Sequence, residues 1–252
     1  MDRQGWLGWF EHNRSRPVPW LPDRIVVDAE LHGPLVRALQ VFRLGEIGEA
    51  RVVGELARSG HPAVDEALIA ALRMHLLEEG RHARELKAAL RSLGAPLLER
   101  STSDALFRAG RRAAGPFEEL AVLGSIELVS CAFYRTLGEL LPQEDLAQAM
   151  RTIARDEAAH LDFLCDFFAE AARLTPRLRR PAAIARWSAL FVGGIEAGAL
   201  LVGVRHRRLL RLLGTDGIAL HRRCLGIVAR QRPWSFAARG PARALFEARQ
   251  AI

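Results

Sequence analysis

Hydrophobic residues recur every three to four positions over long stretches of the chain, which is the period of one face of an α-helix. Ala, Leu, Arg and Glu, which favour helices, fill the same stretches. Runs of Val, Ile and Thr bounded by turns, which are typical of strands, are scarce. The pattern therefore predicts an all-α protein.

Gly and Pro residues divide the pattern into long helical segments. The four predicted helices run from about Ala29 to Arg58, Ala63 to Leu93, Pro116 to Leu141 and Gln143 to Leu174. Short turns join the first helix to the second and the third to the fourth, whereas the middle connection, from Gly94 to Gly115, is long. This order of connections is typical of a four-helix bundle made of two helical hairpins joined by one crossover.

The segments on either side complete one predicted domain of 252 residues. Residues 1–28, rich in Trp and Pro and without clear periodicity, predict an irregular arm packed on the bundle of residues 29–173. Residues 174–252 predict a helical extension, with helices near Pro181 to Leu213 and Gly217 to Ala229.

Each predicted bundle helix carries an acidic residue within its apolar stripe. These acids are Glu46, Glu79, Glu127 and Glu157, each with hydrophobic residues four and seven positions away. Four carboxylates converging in a core would repel one another and would lose their hydration at a large cost. Two divalent cations remove both penalties, so the pattern predicts a dinuclear metal site.

Two histidines extend this set of ligands. Glu79 and His82 form one Glu-x-x-His motif, and Glu157 and His160 form a second. Residues three apart lie side by side on a helix, so the carboxylate and the imidazole of each motif can reach one metal site. Two such motifs, each about 30 residues after a Glu of the preceding helix, match the ligand pattern of ferritin-like carboxylate proteins. Carboxylate and imidazole ligands favour two iron ions, with manganese or a mixed Mn/Fe pair as the alternative.

The run Gly-Glu-Ile-Gly-Glu-Ala-Arg-Val at 45–52 resembles the Ala-Gly-Glu-x-Gly-Ala-x-Arg-Ile stretch of the demethoxyubiquinone hydroxylase family, within the ferritin-like diiron-carboxylate superfamily. Glu127 followed by Tyr134 is also similar to the third-helix pattern of that family. Arg43 and Leu44 stand where the family has Asp-His, and the C-terminal extension is not part of its pattern.

The resemblance implies distinct roles for the four acidic ligands. Glu79 and Glu157 would bridge the two metal ions, and Glu46 and Glu127 would be terminal ligands. Glu49, one turn after Glu46, is the alternative to it, although the resemblance favours Glu46.

Other polar residues near the predicted ligands have two interpretations each. His75, one turn before Glu79, is an additional ligand or proton relay, or else a histidine satisfied by hydrogen bonding. Tyr134 donates an electron or a hydrogen bond to the site, or is a buried structural tyrosine. Asp156 and Glu78 each hold the second nitrogen of a ligand histidine, or are surface charges.

The chain has a net charge of +7, and all of its basic side chains are arginines except Lys87, the only lysine, and the histidines. This skew indicates a compositional bias, and no nucleic-acid motif accompanies it, so we expect no nucleic-acid partner.

The three cysteines form no CxxC pair, which excludes a rubredoxin-type iron site and favours free thiols in the cytoplasm. The N-terminus lacks the apolar core of a signal peptide. The apolar stretch Ala189 to Val204, interrupted by Glu196, is short for a membrane span, and contact with a membrane surface is the less favoured alternative.

These observations favour an O2-activating non-haem diiron oxidase or oxygenase acting on a small hydrophobic organic substrate. A separate reductase or ferredoxin would supply electrons. The additional segments around the bundle would roof a substrate pocket or form a homodimer interface, which argues against a simple iron store. The alternatives are a ferroxidase or other iron-handling protein, a peroxide-scavenging protein, and a non-catalytic helical interaction module.

Overall fold

The computed structural model describes residues 1–17, 21–47, 50–99 and 115–231, and within these ranges the chain is helical and contains no strand. The prediction of an all-α protein is therefore confirmed. The helices are α1 (Arg3–Arg14), α2 (Ala29–Gly45), α3 (Ala50–Ala57), α4 (Glu66–Ser92), α5 (Pro116–Leu140), α6 (Glu144–Leu174), α7 (Arg180–Arg205), α8 (Arg207–Leu212) and α9 (Gly217–Gln231).

Local signals in the sequence account for several helix ends. The carboxylates of Asp28 and Asp65 accept hydrogen bonds from backbone N–H groups in the first turns of α2 and α4, which satisfies donors that have no partner within the helix. Pro116 occupies the first turn of α5, where a missing N–H costs nothing. Gly94, with φ of 66°, adopts the left-handed conformation just after α4 and ends it.

The N-terminal segment differs from its prediction, because residues 3–14 form α1 rather than an irregular arm. Asp2 caps this helix by accepting from the N–H of Gly5 at 2.8 Å. Trp6 and Phe10, four positions apart, point the same way and are almost completely buried. The burial of Trp6 and Phe10 against the neighbouring helices stabilises α1, although Gly5 and Gly8 lower its helix propensity.

The first predicted bundle helix is also interrupted. Instead of running from Ala29 to Arg58, α2 ends at Gly45 and α3 begins at Ala50. Gly45 and Gly48 lower the helix propensity of this stretch by roughly 1 kcal/mol each, which explains why it can break. Residues 48 and 49 lie outside the described residues, and so do residues 100–114 of the predicted crossover and residues 232–252 of the extension.

The remaining helices pack around a core shared by α2, α4, α5 and α6. α1 packs on α4, and α7 packs along α5, with α9 against both α5 and α7. Close approach of α7 to α5 requires glycine, because a Cβ at Gly194 would lie 2.1 Å from Oγ of Ser125. The predicted helix from Pro181 to Leu213 is divided near His206 into α7 and α8.

Two of the described helices, α5 and α7, are long and apolar enough to cross a membrane by length and composition. In α5, 78% of the most apolar window is buried within the protein, as expected for a central core helix. In α7 the corresponding fraction is 28%, so Leu200, Leu201 and Val204 remain exposed on its outer face.

Candidate metal centre

The six predicted ligands come from four helical segments and converge in the core. Glu46 directly follows α2, Glu79 and His82 lie on α4, Glu127 lies on α5, and Glu157 and His160 lie on α6. All six side chains are buried. Because each stands in the apolar stripe of its helix, packing these stripes together also brings the polar groups together.

His82 lies at the centre of one group of buried ligand atoms. Its Nδ1 lies 3.2 Å from Oε1 of Glu157, 3.5 Å from Oε2 of Glu46 and 3.7 Å from Oε1 of Glu79. These four residues each offer one atom within 4.8 Å of the others, a spacing at which they could hold one metal ion. We call them the His82 group.

His160 and His75 define the second group. Nδ1 of His160 lies 3.0 Å from Oε1 of Glu79 and 3.5 Å from Oε2 of Glu127. Nε2 of His75 lies 3.5 Å from Oε1 of Glu127 and 4.0 Å from Oε1 of Glu79. These four residues also lie within the spacing that one metal ion requires, and we call them the His160 group.

The two groups are adjacent because they share Glu79. Glu157 also faces both, since its Oε1 lies 3.2 Å from Nδ1 of His82 and its Oε2 lies 4.0 Å from Nδ1 of His160. These two acids therefore occupy the positions between the groups. Glu46 lies in the His82 group alone, and Glu127 in the His160 group alone.

Several buried atoms of these groups lack a hydrogen-bond partner among the described residues. They are Nε2 of His75, Oε1 of Glu79, Nδ1 of His82, both carboxylate oxygens of Glu157 and Nδ1 of His160. A buried polar atom left unsatisfied costs about 1–3 kcal/mol. All of these atoms are potential metal ligands that face one another, so a cation in each group would satisfy them. The buried groups could thus hold metal ions, and their mixture of carboxylate oxygen and imidazole nitrogen suits iron or manganese.

In the absence of metal, the acids of the site have unequal affinities for protons. Burial and the charge of Glu127 raise the pKa of Glu79 to about 8. The same two causes raise the pKa of Glu157 well above its usual range. Burial also favours the neutral form of Glu127. Its hydrogen bonds with Glu157, His160 and His75 favour the ionised form more strongly and hold the pKa of Glu127 well below its usual range.

The imidazoles differ in the same way. Burial alone would lower the pKa of His82, but Asp156 and Glu46 raise it to about 10. Acidic neighbours, Glu127 first among them, likewise overcome burial and raise the pKa of His160 well above its usual range. Burial and the nearby His160 lower the pKa of His75. Protons bound to the acids and imidazoles with raised pKa values thus compensate much of the buried negative charge. Metal ions would compensate the same charge when bound.

Two further acids hold the outer nitrogens of the histidines in a crossed arrangement. Nε2 of His160, on α6, lies 3.0 Å from Oε2 of Glu78, on α4. Nε2 of His82, on α4, lies 3.3 Å from Oδ2 of Asp156, on α6. Each pair directs Nδ1 of the imidazole towards the ligand groups, as a carboxylate does for metal-binding histidines in general.

Arg81 links these two acids. Its Nη2 donates to Oε1 of Glu78 at 2.5 Å and to Oδ2 of Asp156 at 2.6 Å, and its Nη1 donates to the backbone carbonyl of Asn13 at 2.8 Å. The side chain of Asn13 donates to Glu78, and Arg16 donates to Asp156. The roles of Arg81, Asn13 and Arg16 were not predicted from the sequence. The position of Arg81 within the first Glu-x-x-His motif was the one available signal.

Two aromatic residues complete the surroundings of the site. The fully buried hydroxyl of Tyr134 donates to Oε1 of Glu46, and burial together with the charge of Glu46 raises the pKa of Tyr134 well above its usual range. The ring centroid of Phe10, on α1, lies 6.0 Å from that of His160 and 6.1 Å from that of His75. α1 therefore covers the two imidazoles of the His160 group, which we call the histidine side of the site. Glu49 lies outside the described residues.

Comparison of the chain with family models, with curated proteins and with solved structures finds no match.

Proposed function

We propose that this protein is a ferritin-like diiron protein that uses O2 to oxidise a small hydrophobic organic substrate. The observation that carries the proposal is the presence of two adjacent groups of buried ligands that share Glu79. Such a concentration of carboxylates and imidazoles would destabilise an ordinary core. Two cations bound between these side chains would compensate their charge, and the free energy that burial costs would be recovered when the metal ions bind.

We assign α2 with α3, α4, α5 and α6 as the four helices of a ferritin-like bundle. Support comes from the order of ligands along the chain, which is Glu, Glu-x-x-His, Glu, Glu-x-x-His over these four segments. Contacts of α2 and α3 with α4, and of α5 with α6, fit two helical hairpins. In this assignment α1, α7, α8 and α9 are additions to the bundle.

The two iron ions would be held by the His82 group and by the His160 group. Glu79 and Glu157 would bridge them, and Glu46 and Glu127 would bind one ion each. When bound, a pair of ferrous ions supplies electrons for the reduction of O2. A separate reductase or ferredoxin would restore them between cycles.

The surrounding residues would prepare the ligands for this chemistry. Glu78 and Asp156 orient the imidazoles, and Arg81 balances the negative charge of these two acids. Tyr134 stays protonated, donates a hydrogen bond to Glu46 and fixes the orientation of that carboxylate. Phe10 excludes water from the histidine side of the site.

The helices after the bundle favour oxidation of an organic substrate over storage of iron. α7 covers α5, the helix that carries Glu127, and it brings the apolar side chains of Phe191 and Ile195 into the core beside that helix. Cage-forming iron stores need little beyond the four bundle helices. An apolar cover over one ligand helix instead suits a site that admits a hydrophobic molecule.

The first test is the metal content of the full chain after anaerobic loading with ferrous iron. We expect about two iron ions per chain, the number that ferritin-like carboxylate sites hold. Glu79→Ala and His160→Ala should each lose most of this iron. Glu118→Gln is the matched control, because Glu118 is buried to a similar extent but pairs with Arg186 and belongs to neither ligand group of the described residues. Full iron content in Glu79→Ala would refute the site.

The second test separates oxygenase from iron storage. The loaded protein should consume O2 when reduced and should stay at about two iron ions per chain under excess ferrous iron and air. Growth of a mineral core in a large assembly would instead assign the protein to iron storage. Rapid disproportionation of hydrogen peroxide without consumption of an external reductant would assign it to peroxide removal.

A further inference from the structure

We propose that His75 is a seventh ligand and that it makes the two ion positions unequal, so that a nitrogen-preferring ion fills the His160 group first. This inference rests on the proposed metal centre and concerns the order in which its positions are occupied. The Glu-x-x-His pattern alone predicts one imidazole for each ion. With His75 included, the His160 group has two imidazoles and the His82 group has one.

The position of His75 fits a ligand better than a structural histidine. Its side chain is buried, yet within the described part of the chain Nε2 has no hydrogen-bond partner. This nitrogen points at the carboxylates of Glu127 and Glu79, at 3.5 Å and 4.0 Å. Both carboxylates belong to the same group of potential ligands as His75, so its Nε2 faces the position that a metal ion would occupy.

Packing holds the ring of His75 in this direction. Its centroid lies 4.2 Å from the ring centroid of His160, in an edge-to-face arrangement, and 6.1 Å and 6.3 Å from those of Phe10 and Phe163. Because these rings come from α1 and α6 while His75 lies on α4, two neighbouring helices fix the direction of the imidazole. A preorganised ligand loses little conformational freedom when an ion binds.

The two groups therefore differ in chemistry. The His160 group combines His75 and His160 with the carboxylates of Glu79 and Glu127, whereas the His82 group combines one imidazole with three carboxylates. Imidazole suits ions such as Fe²⁺ and Zn²⁺, and Co²⁺ binds nitrogen-containing sites more tightly than Mn²⁺, whereas carboxylate-rich sites suit Mn²⁺. The His160 group therefore selects Fe²⁺, Co²⁺ or Zn²⁺, and the His82 group accepts Mn²⁺ or the second ion of a uniform pair.

The experiment uses crystals of the full chain, prepared metal-free and then supplied with one equivalent each of Co²⁺ and Mn²⁺. Anomalous scattering at the two absorption edges identifies the ion in each position. In the wild-type protein, cobalt should concentrate at His75 and His160, and manganese at His82. In His75→Gln, which leaves one imidazole in each group, this separation should disappear.

Calorimetric titration with Co²⁺ gives an independent measure in solution. The wild-type protein should show two steps that differ in affinity by about 10- to 100-fold, the range by which even an outer partner of a ligand changes metal affinity. In His75→Gln the first step should weaken towards the second, with two ions still bound. His61→Gln is the matched control, since His61 is partly buried but contacts Phe117 and Thr175 away from both groups.

The outcomes separate this inference from the proposed function. Equal distribution of cobalt and manganese in the wild-type protein, or an unchanged separation in His75→Gln, would refute the role of His75 while leaving a two-metal centre in place. Failure of the wild-type protein to bind either ion would refute the metal centre itself, and this inference with it.

Discussion

Nε2 of His160 lies 3.0 Å from the carboxylate of Glu78, so an acid on one helix fixes an imidazole on another. Asp156 and His82 repeat the relationship in the opposite direction between α6 and α4. Each Glu-x-x-His motif is thus preceded by an acid that serves the other motif. Because the two pairs cross, α4 and α6 are held in one register by the same residues that direct both histidines.

This crossed arrangement predicts that Glu78→Gln and Asp156→Asn act on metal binding through the histidines. Each variant keeps the shape of the side chain but removes the negative charge that orients the imidazole and raises its basicity. We expect metal affinity to fall by about 10- to 100-fold in each variant, with two ions still bound at saturation. Calorimetric titration measures both quantities. Wild-type affinity in both variants would show that these acids have no positioning role.

Arg81 should contribute strongly to stability, because it is the buried cation between Glu78 and Asp156. Arg81→Met would leave both acids poorly compensated, and loss of one partner of a buried ion pair costs about 3–5 kcal/mol. Urea denaturation of the metal-free protein near neutral pH measures this loss. Arg84→Ala, at an exposed position on the same helix, should change stability by no more than about 0.5 kcal/mol. Equal stability of the two variants would contradict the prediction.

Phe10 should couple α1 to the metal site. The Phe10→Ala variant removes a buried ring that contacts His75 and His160. Truncation of a buried Phe costs about 3–5 kcal/mol in stability, and here it also admits water beside the two imidazoles. We expect a lower unfolding midpoint in denaturant and weaker metal binding, whereas Glu11→Ala, on the exposed face of α1, should leave both unchanged. A loss of stability with full metal affinity would restrict Phe10 to packing.

Metal binding should strengthen as pH rises. The pKa of Glu79, raised to about 8, and that of His82, raised to about 10, mean that both groups hold protons near neutral pH. An ion must displace these protons, so the apparent affinity increases with pH while they remain bound in the metal-free protein. Titrations in buffers of different ionisation enthalpy measure the number of protons released. Binding without proton release near pH 7 would contradict the prediction.

His206, which belongs to neither ligand group of the described residues, should make the stability of the fold depend on pH. Burial, with a smaller contribution from nearby arginines, lowers the pKa of His206 from 6.5 to about 4. The unfolded chain then binds the proton more readily than the folded chain, so stability falls as pH drops from about 6.5 to about 4, by up to roughly 3 kcal/mol.

A comparison of His206→Leu with the wild-type protein isolates this effect. Leu retains apolar contact with Phe42 and Phe133, whose rings lie beside the imidazole, but it does not titrate. Denaturant unfolding between pH 4 and pH 7 should show a shallower loss of stability in the variant. Parallel curves for the two proteins over this range would exclude His206 as a source of the pH dependence.

The helical class and the burial of the six predicted ligands could be predicted from sequence because both depend on local periodicity. An amphipathic helix must bury its apolar stripe, and an acid at the centre of that stripe is buried with it, whatever the neighbouring helix is. Glu127 illustrates this, since apolar residues around it on α5 were sufficient to predict its burial. The interruption between α2 and α3 was not predicted, because glycine lowers helix propensity without specifying where a helix breaks.

Periodicity by itself thus determined which residues face the core, and tertiary structure decided which of them meet. The membership of His75 in the His160 group, the bond between Glu78 and His160, and the position of Arg81 all depend on the spacing and register of separate helices. α1 depends on tertiary structure still more, because its few apolar side chains stabilise a helix only when Trp6 and Phe10 are buried against α4 and against Phe163 of α6. Such contacts join residues far apart in sequence, and their energies appear only once the helices have packed.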